Sequence, residues 1–128
     1  MNNELTPLAR PEPNFRRGGS LDIYDDGHLR VEHENYYVSL GGHPLKLPRK
    51  EFLIVSRLAR NPERIVSSEE IWQHGWGRRA AFNAESLHVH IYRLRRRLEP
   101  FGLHIETMVN VGYRLMIVKD AQQSASST

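Results

Sequence analysis

Leu87, Ile91, Leu94 and Leu98 recur at i, i+4, i+7 and i+11 within the stretch NAESLHVHIYRLRRRLEP, residues 83–100. At about 100° per residue these side chains fall on one narrow stripe of a helix, a spacing that no strand gathers on one face. The spacing predicts a helix over 83–99. Asn83 suits its N-cap, because its side-chain oxygen can accept from the free N–H groups of the first turn. Pro100 stops the helix, with Gly102 just beyond. The face opposite the leucines collects Glu85, Val89, Tyr92, Arg93 and Arg96, so an arginine-rich face with one aromatic looks outward.

Six arginines and one glutamate lie between Arg78 and Arg97, a local charge of +5 in a chain whose formal net charge is +3. The remaining residues therefore carry a small net negative charge. Positive charge gathered on one helix and the loop before it is the footprint of a helix laid against phosphates and base edges. The plain alternative is a solvated arginine-rich surface. On the first reading, Arg93 and Arg96 meet bases or phosphates, and a bidentate arginine–guanine pair supplies about 1–3 kcal/mol of discrimination. Arg97 meets phosphate or solvent, Tyr92 a sugar or phosphate, and Val89 a thymine methyl or simply the protein. Glu85 is neutral or mildly selective. His88 and His90, at i and i+2, point about 200° apart on a helix and cannot share a metal ion; His90 is expected to donate to phosphate or sit at the rim.

At 128 residues the chain has room for one domain with tails. Pro7, Pro11, Pro13, Gly18 and Gly19 mark residues 1–20 as a flexible N-terminal tail. Residues 119–128, rich in Ala, Gln and Ser, are expected to be a disordered C-terminal tail. The domain then runs over 21–118. There is no cysteine, which excludes disulfides and thiolate metal sites and suits a reducing, cytoplasmic setting. No apolar run approaches the ~20 residues that span a bilayer, and the N-terminus lacks the apolar core of a signal peptide. No membrane partner is expected. No nucleophile–base pair, acid pair or G-x-x-x-x-G-K phosphate loop stands out, so the chain is read as non-enzymatic, with no metal and no cofactor.

Between Leu21 and Leu47 the apolar period shortens to two. Leu21 and Ile23, then Asp25-Asp26-Gly27, read as a strand and a turn; Leu29 and Val31 as a second strand; Tyr36 and Val38, or Tyr37 and Leu40, as a third ending at Gly41-Gly42; Leu45 and Leu47 as a fourth. This is the pattern of an antiparallel meander. Pro48 to Arg60 turns helical through Phe52, Val55 and Ala59, and Asn61-Pro62 ends it. Ile65-Val66 is a short extended piece. Ser67 and Glu70 have capping-box spacing and open a second helix, which carries Ile71 and Trp72 and is expected to fray near Gly75-Trp76-Gly77. Trp72 is expected in the core and Tyr113 in hairpin packing. Past Pro100, 104–108 and 113–118 read as strands around Val109-Asn110-Val111-Gly112, a tip where Asn and Gly can both supply positive φ. The fold class is α+β: four antiparallel strands, three helices, the third one basic, and a closing β-hairpin. That order is a winged helix-turn-helix arrangement, in which a helix fits the major groove and a hairpin tip reaches the neighbouring backbone or minor groove.

The sequence resembles the DNA-binding domain of OmpR/PhoB-type response regulators over about Leu21 to Val118. The likeness is carried by LKLPRKEFLIVSRL (45–58), Val66 to Ile71 with Trp76-Gly77, LHVHIYRLRRRL (87–98) and TMVNVGYRL (107–115). It implies a transcription regulator of two-component phosphorelay systems, binding double-stranded promoter DNA in a sequence-specific way as a head-to-tail pair. Helix 83–99 is then the recognition helix, with Arg93, Arg95, His90 and Tyr92 at positions that touch bases or phosphates. The 108–113 hairpin is the wing, with Asn110 at its tip and Arg114 on its strand serving the backbone. Loop 77–82 matches the loop that meets RNA polymerase.

The sequence departs from the family in four places. Val109-Asn110 stand where the family often has a wing Arg-Gly, so a protein-interaction module with weak or no DNA binding is the alternative reading. Pro48 replaces a capping Thr, so Glu51 has no capping box to complete. Gly75 replaces an apolar residue and is expected to loosen the second helix. The sequence holds no receiver domain, so the protein either acts alone or is a piece of a longer one.

Overall fold

The structure, a computed structural model, describes residues 22–117. The expected tails, 1–20 and 119–128, lie outside the described residues, as do Leu21 and Val118. The chain divides into two compact units at Pro44 and Leu45.

The first unit is a four-stranded antiparallel sheet in sequence order: β1 (Ile23–Asp25), β2 (Leu29–Glu32), β3 (Tyr37–Leu40) and β4 (His43–Leu45), whose last residue crosses the boundary. Asp26 builds the β1–β2 turn: its Oδ1 accepts from the backbone N–H of His28 at 2.8 Å and of Leu29 at 2.7 Å. Leu29 pairs with Leu40 and Val31 with Val38, and all four are buried. A 3₁₀ turn, His33–Asn35, lies between β2 and β3, and Tyr36 follows it in the left-handed region with φ of 53°. The third strand spans Tyr37–Leu40, and its inward pair is Val38 with Leu40, one residue from each of the two expected sets. Gly41 and Gly42 both have positive φ, the requirement of a two-residue type I′ hairpin. The fourth strand therefore starts straight after them, two residues earlier than Leu45 and Leu47 suggest.

The second unit holds α1 (Arg49–Ala59), β5 (Ile65–Ser67), α2 (Ser68–Trp76), α3 (Ala84–Leu98), and the hairpin β6 (Leu103–Met108) with β7 (Gly112–Ile117). The strand order is β5–β7–β6, all antiparallel. α1 packs against α2, α3 and β7, and α3 packs against β6. The core draws Phe52, Ile54, Val55 and Leu58 from α1, Ile71 and Trp72 from α2, the whole stripe Leu87, Ile91, Leu94 and Leu98 from α3, and Leu103, Ile105, Tyr113 and Leu115 from the hairpin.

The caps follow the sequence. Ser67 Oγ accepts from Glu70 N at 3.1 Å and the Glu70 carboxylate reaches back to Ser67 N at 3.4 Å, closing the capping box. Asn83 Oδ1 accepts from Ser86 N at 2.9 Å. Pro48 caps α1 with no side-chain bond. α2 ends at Trp76 with Gly77 as its C-cap, inside the expected Gly75-Trp76-Gly77 stretch, and Gly75 itself stays helical. Trp76 stacks flat on Trp72, with ring centroids 4.1 Å apart, and Lys50 Nζ donates to the Gly75 carbonyl at 3.0 Å. Those contacts outweigh the ~1 kcal/mol that glycine costs a helix.

The hairpin tip corrects one expectation. Only Asn110 there has positive φ, 65°. Gly112 serves close approach instead: a Cβ on it would lie 1.9 Å from the backbone oxygen of Val66. It pairs with Ser67 on β5, and Ser68 N donates to Val111 O at 3.2 Å. Any side chain at 112 pries β5 off the hairpin. Gly112→Ala is expected to cost about 3 kcal/mol or more, read as a lower urea midpoint, whereas Gly42→Ala, with open space around it, loses only the φ preference, about 1 kcal/mol.

His74 on α2 is half-buried, and its Nε2 has no hydrogen-bond partner among the described residues. Burial, helped by the positive charges of Arg60 and Arg57, holds its pKa below the ordinary 6.5. The unfolded chain therefore binds a proton at higher pH than the folded one. Stability from this group is complete above about pH 6.5 and falls as pH drops toward the folded value, with a slope of at most about 1.4 kcal/mol per pH unit. His74→Leu should remove that slope in urea titrations run across the window.

Candidate nucleic-acid interface

α3 has four sides, each with its own surroundings. The stripe of Leu87, Ile91, Leu94 and Leu98 is buried. One flank faces the hairpin: Arg95 donates from Nε to Ile105 O at 2.8 Å and from Nη2 to Thr107 Oγ1 at 2.5 Å. On the same flank the His88 ring stands edge-on to Tyr113. Burial pushes the Tyr113 hydroxyl pKa up, and the Arg95 charge opposes this.

The other flank faces α1 and α2. Arg97 Nε donates to Glu51 Oε1 at 3.1 Å, and Glu51 is only 2% exposed. His90 Nδ1 lies 2.8 Å from Ser86 O, and its ring meets Trp76 edge-on at 5.1 Å. Free of capping duty beneath Pro48, the Glu51 carboxylate neutralises Arg97 instead.

The outward side holds Glu85, Val89, Tyr92, Arg93 and Arg96, all exposed. Tyr92 is 59% and Val89 42% exposed, large values for apolar rings and branches in a folded domain. Arg96 Nη1 donates to Tyr92 Oη at 3.3 Å, and its guanidinium lies over the Tyr92 ring. Arg93 has no partner among the described residues.

The arginines of the helix thus divide. Arg93 and Arg96 look out, while Arg95 and Arg97 hold α3 to its neighbours. Arg114, on β7, is paired with Glu106 across the hairpin. Asn110 sits at the exposed hairpin tip. The positioning roles of Glu51 and Thr107 escape a sequence reading. For Glu51 a signal exists: an acid immediately before the apolar run FLIVS of α1 with no cap to serve.

The loop between α2 and α3 is tied down by aromatics. Trp72 Nε1 donates to Ala80 O at 3.0 Å, and Phe82 packs edge-on against Trp72. Arg78 and Arg79 stay exposed on this loop, next in sequence to the N-terminal end of α3.

Residues 42–115 match the family profile described as "Transcriptional regulatory protein, C terminal". The chain belongs to that family, the OmpR/PhoB-type DNA-binding domains. The family is one of transcriptional regulatory proteins. A sensory transduction protein, RegX3 of Mycobacterium leprae, is 32% identical over 117 residues, covering 84% of this chain and 59% of RegX3. The DNA-binding domain of CpxR from E. coli superposes with a TM-score of 0.63 at 25% identity, covering 76% of this chain and 98% of that one. The Klebsiella pneumoniae RstA domain, solved in complex with its RstA box, gives 0.61 at 25% identity, covering 73% and 96%. The chain spans about half the length of the curated relatives it matches. The four-stranded sheet, three helices and closing hairpin are the winged-helix architecture of these domains.

The division of the arginines has a direct test. Arg97→Ala leaves a buried carboxylate unpaired and should destabilise the fold by about 1–3 kcal/mol, while Arg93→Ala stays within about 0.5 kcal/mol of wild type. Urea denaturation of the two variants measures the difference.

Proposed function

We propose that α3 enters the major groove of promoter DNA and reads it through its outward side. The observation that supports this reading is the free face of α3: Arg93 and Arg96, with Tyr92 and Val89, lie exposed opposite a fully buried stripe. A helix is of a size to enter that groove, and arginine is its commonest base-specific reader, bidentate to guanine. Arg93 and Arg96 are assigned to base or phosphate contacts and Tyr92 to a sugar or phosphate. Val89 is assigned to a thymine methyl. His90, Arg95, Arg97 and Arg114 are assigned to the margin of the contact, where their internal partners leave at most a secondary bond to phosphate. RstA, a relative of similar fold, was solved on its own DNA box, which supports double-stranded DNA as the ligand here.

Further proposals follow from the family. The hairpin serves as the wing, and two copies bind head-to-tail on a repeated site. Loop 77–82, with Arg78 and Arg79 exposed, contacts RNA polymerase. The domain acts in the cytoplasm as the effector part of a two-component phosphorelay. Among the described residues no helix is long and apolar enough to cross a membrane.

Selection of bound duplexes from a random pool is the test. A consensus with a repeated half-site is the expected result, with affinity falling steeply as salt rises. Arg93→Ala should lose about 1–3 kcal/mol of preference at one base pair. A pool that yields no consensus would sink the reading and favour a protein partner.

A further inference from the structure

We infer that the cleft between α1 and α2 is a binding site for a small tetrahedral oxyanion, a free phosphate or sulfate group, held by Arg57, Gln73, His74 and Arg78.

Arg57, Glu70, Gln73, His74 and Arg78 line a cleft of about 330 Å³. Arg57 stands on α1, the next three on α2, and Arg78 on the loop that follows. Among the described residues none from α3 lines it, so the cleft is distinct from the side of α3 proposed to read DNA. Two arginines and one glutamate face it, and Arg60 adds a further positive charge close to His74.

The donors of this cleft are under-used. The Arg57 side chain is only 20% exposed, and a guanidinium carries five N–H donors in a fixed fork. Here Nη1 donates to Asn61 Oδ1 at 2.7 Å, while Nη2 stands 3.8 Å from Glu70 Oε2, outside hydrogen-bonding range. Glu70 turns its other oxygen to Ser67, 3.4 Å from N and 3.2 Å from Oγ. Its charge thus serves the start of α2 more than it serves Arg57. The side chains of Gln73 and Arg78 have no hydrogen-bond partner among the described residues. His74 Nε2 is shielded from water and also lacks a partner, a destabilising state for a polar atom. Rotation about χ2, a soft torsion in histidine, turns that nitrogen toward the cleft.

Two guanidinium groups, an amide and an imidazole N–H therefore converge on one positively charged recess. A carboxylate has two oxygens, fewer than these donors can serve. A tetrahedral oxyanion has enough to meet all four groups, and guanidinium pairs with such oxygens in a bidentate way. The groups facing His74 are Arg57 and Arg60 from α1, Glu70 and Gln73 on α2, and Arg78 from the loop. Burial and the charges of Arg60 and Arg57 hold its pKa below the ordinary 6.5. An anion beside the ring favours the imidazolium. Binding therefore takes up a proton, and affinity rises as pH falls below about 6.5.

The test follows the histidine ring C–H resonances of the full chain as sulfate is added, with chloride at equal ionic strength as control. Sulfate is the probe because it keeps its charge where phosphate titrates. The His74 resonance, identified as the one missing from His74→Gln, should move saturably while those of the other histidines stay, and its titration midpoint should rise in saturating sulfate. Arg57→Gln and Arg78→Gln should each weaken sulfate binding about tenfold. Glu70→Gln keeps the capping box, which accepts Gln at that position, and should tighten binding about threefold. Arg78 is exposed on its loop, so its variant folds whatever becomes of Arg57→Gln. Inorganic phosphate should displace sulfate, and saturating duplex DNA should leave the sulfate response of His74 in place. A His74 resonance that follows ionic strength alone overturns the inference, as does an Arg78→Gln variant that binds sulfate like wild type. Displacement of sulfate by the duplex overturns it too, because the cleft then belongs to the DNA contact.

Discussion

The burial of one apolar stripe on α3 sets everything else about the interface. Four side chains at helical spacing fix the rotation of the helix about its own axis, and that rotation decides which arginines face solvent. Axis rotation alone leaves tilt free. Tilt is set by the flanks: Arg95 reaches two acceptors on β6, one of them a backbone carbonyl, and Arg97 reaches a buried carboxylate on α1. A helix gripped on three sides offers its fourth side as a rigid surface, which favours readout because little ordering remains to be done on binding.

Those flank contacts carry uneven weight. Exposed ion pairs such as Arg30 with Asp25 on the sheet contribute little. The Arg97–Glu51 pair differs because one partner is out of water, so the cost of losing the other is the desolvation of an orphaned carboxylate. The pair is therefore better understood as fixing where α3 sits than as adding net stability.

Much of this was legible in the sequence, for physical reasons that can be named. The α3 stripe, the Ser67–Glu70 box and the Asn83 cap are local patterns, and the structure reproduces each. What was not legible depends on neighbours distant in sequence. A helical wheel puts Arg95 and Arg97 on the flanks, but only the tertiary fold supplies Ile105, Thr107 and Glu51 as their partners. Asn110 and Gly112 look interchangeable at a hairpin tip; the proximity of Val66 reserves one for close approach and leaves the left-handed position to the other. Gly75-Trp76-Gly77 marks the end of α2 in the sequence, but not the indole stack that forms there. The 3₁₀ turn at His33–Asn35 interrupts an alternation that by itself allowed two registers.

The paired indoles have one more consequence. Trp72 and Trp76 are the only two tryptophans in the chain, and they lie parallel within 3° at van der Waals distance, with Phe82 of the α2–α3 loop on one and His90 of α3 on the other. Chromophores that close couple their electronic transitions. The chain thus carries a built-in optical gauge: its circular dichroism and emission report on the α2–α3 loop and the start of α3 together, with no label attached.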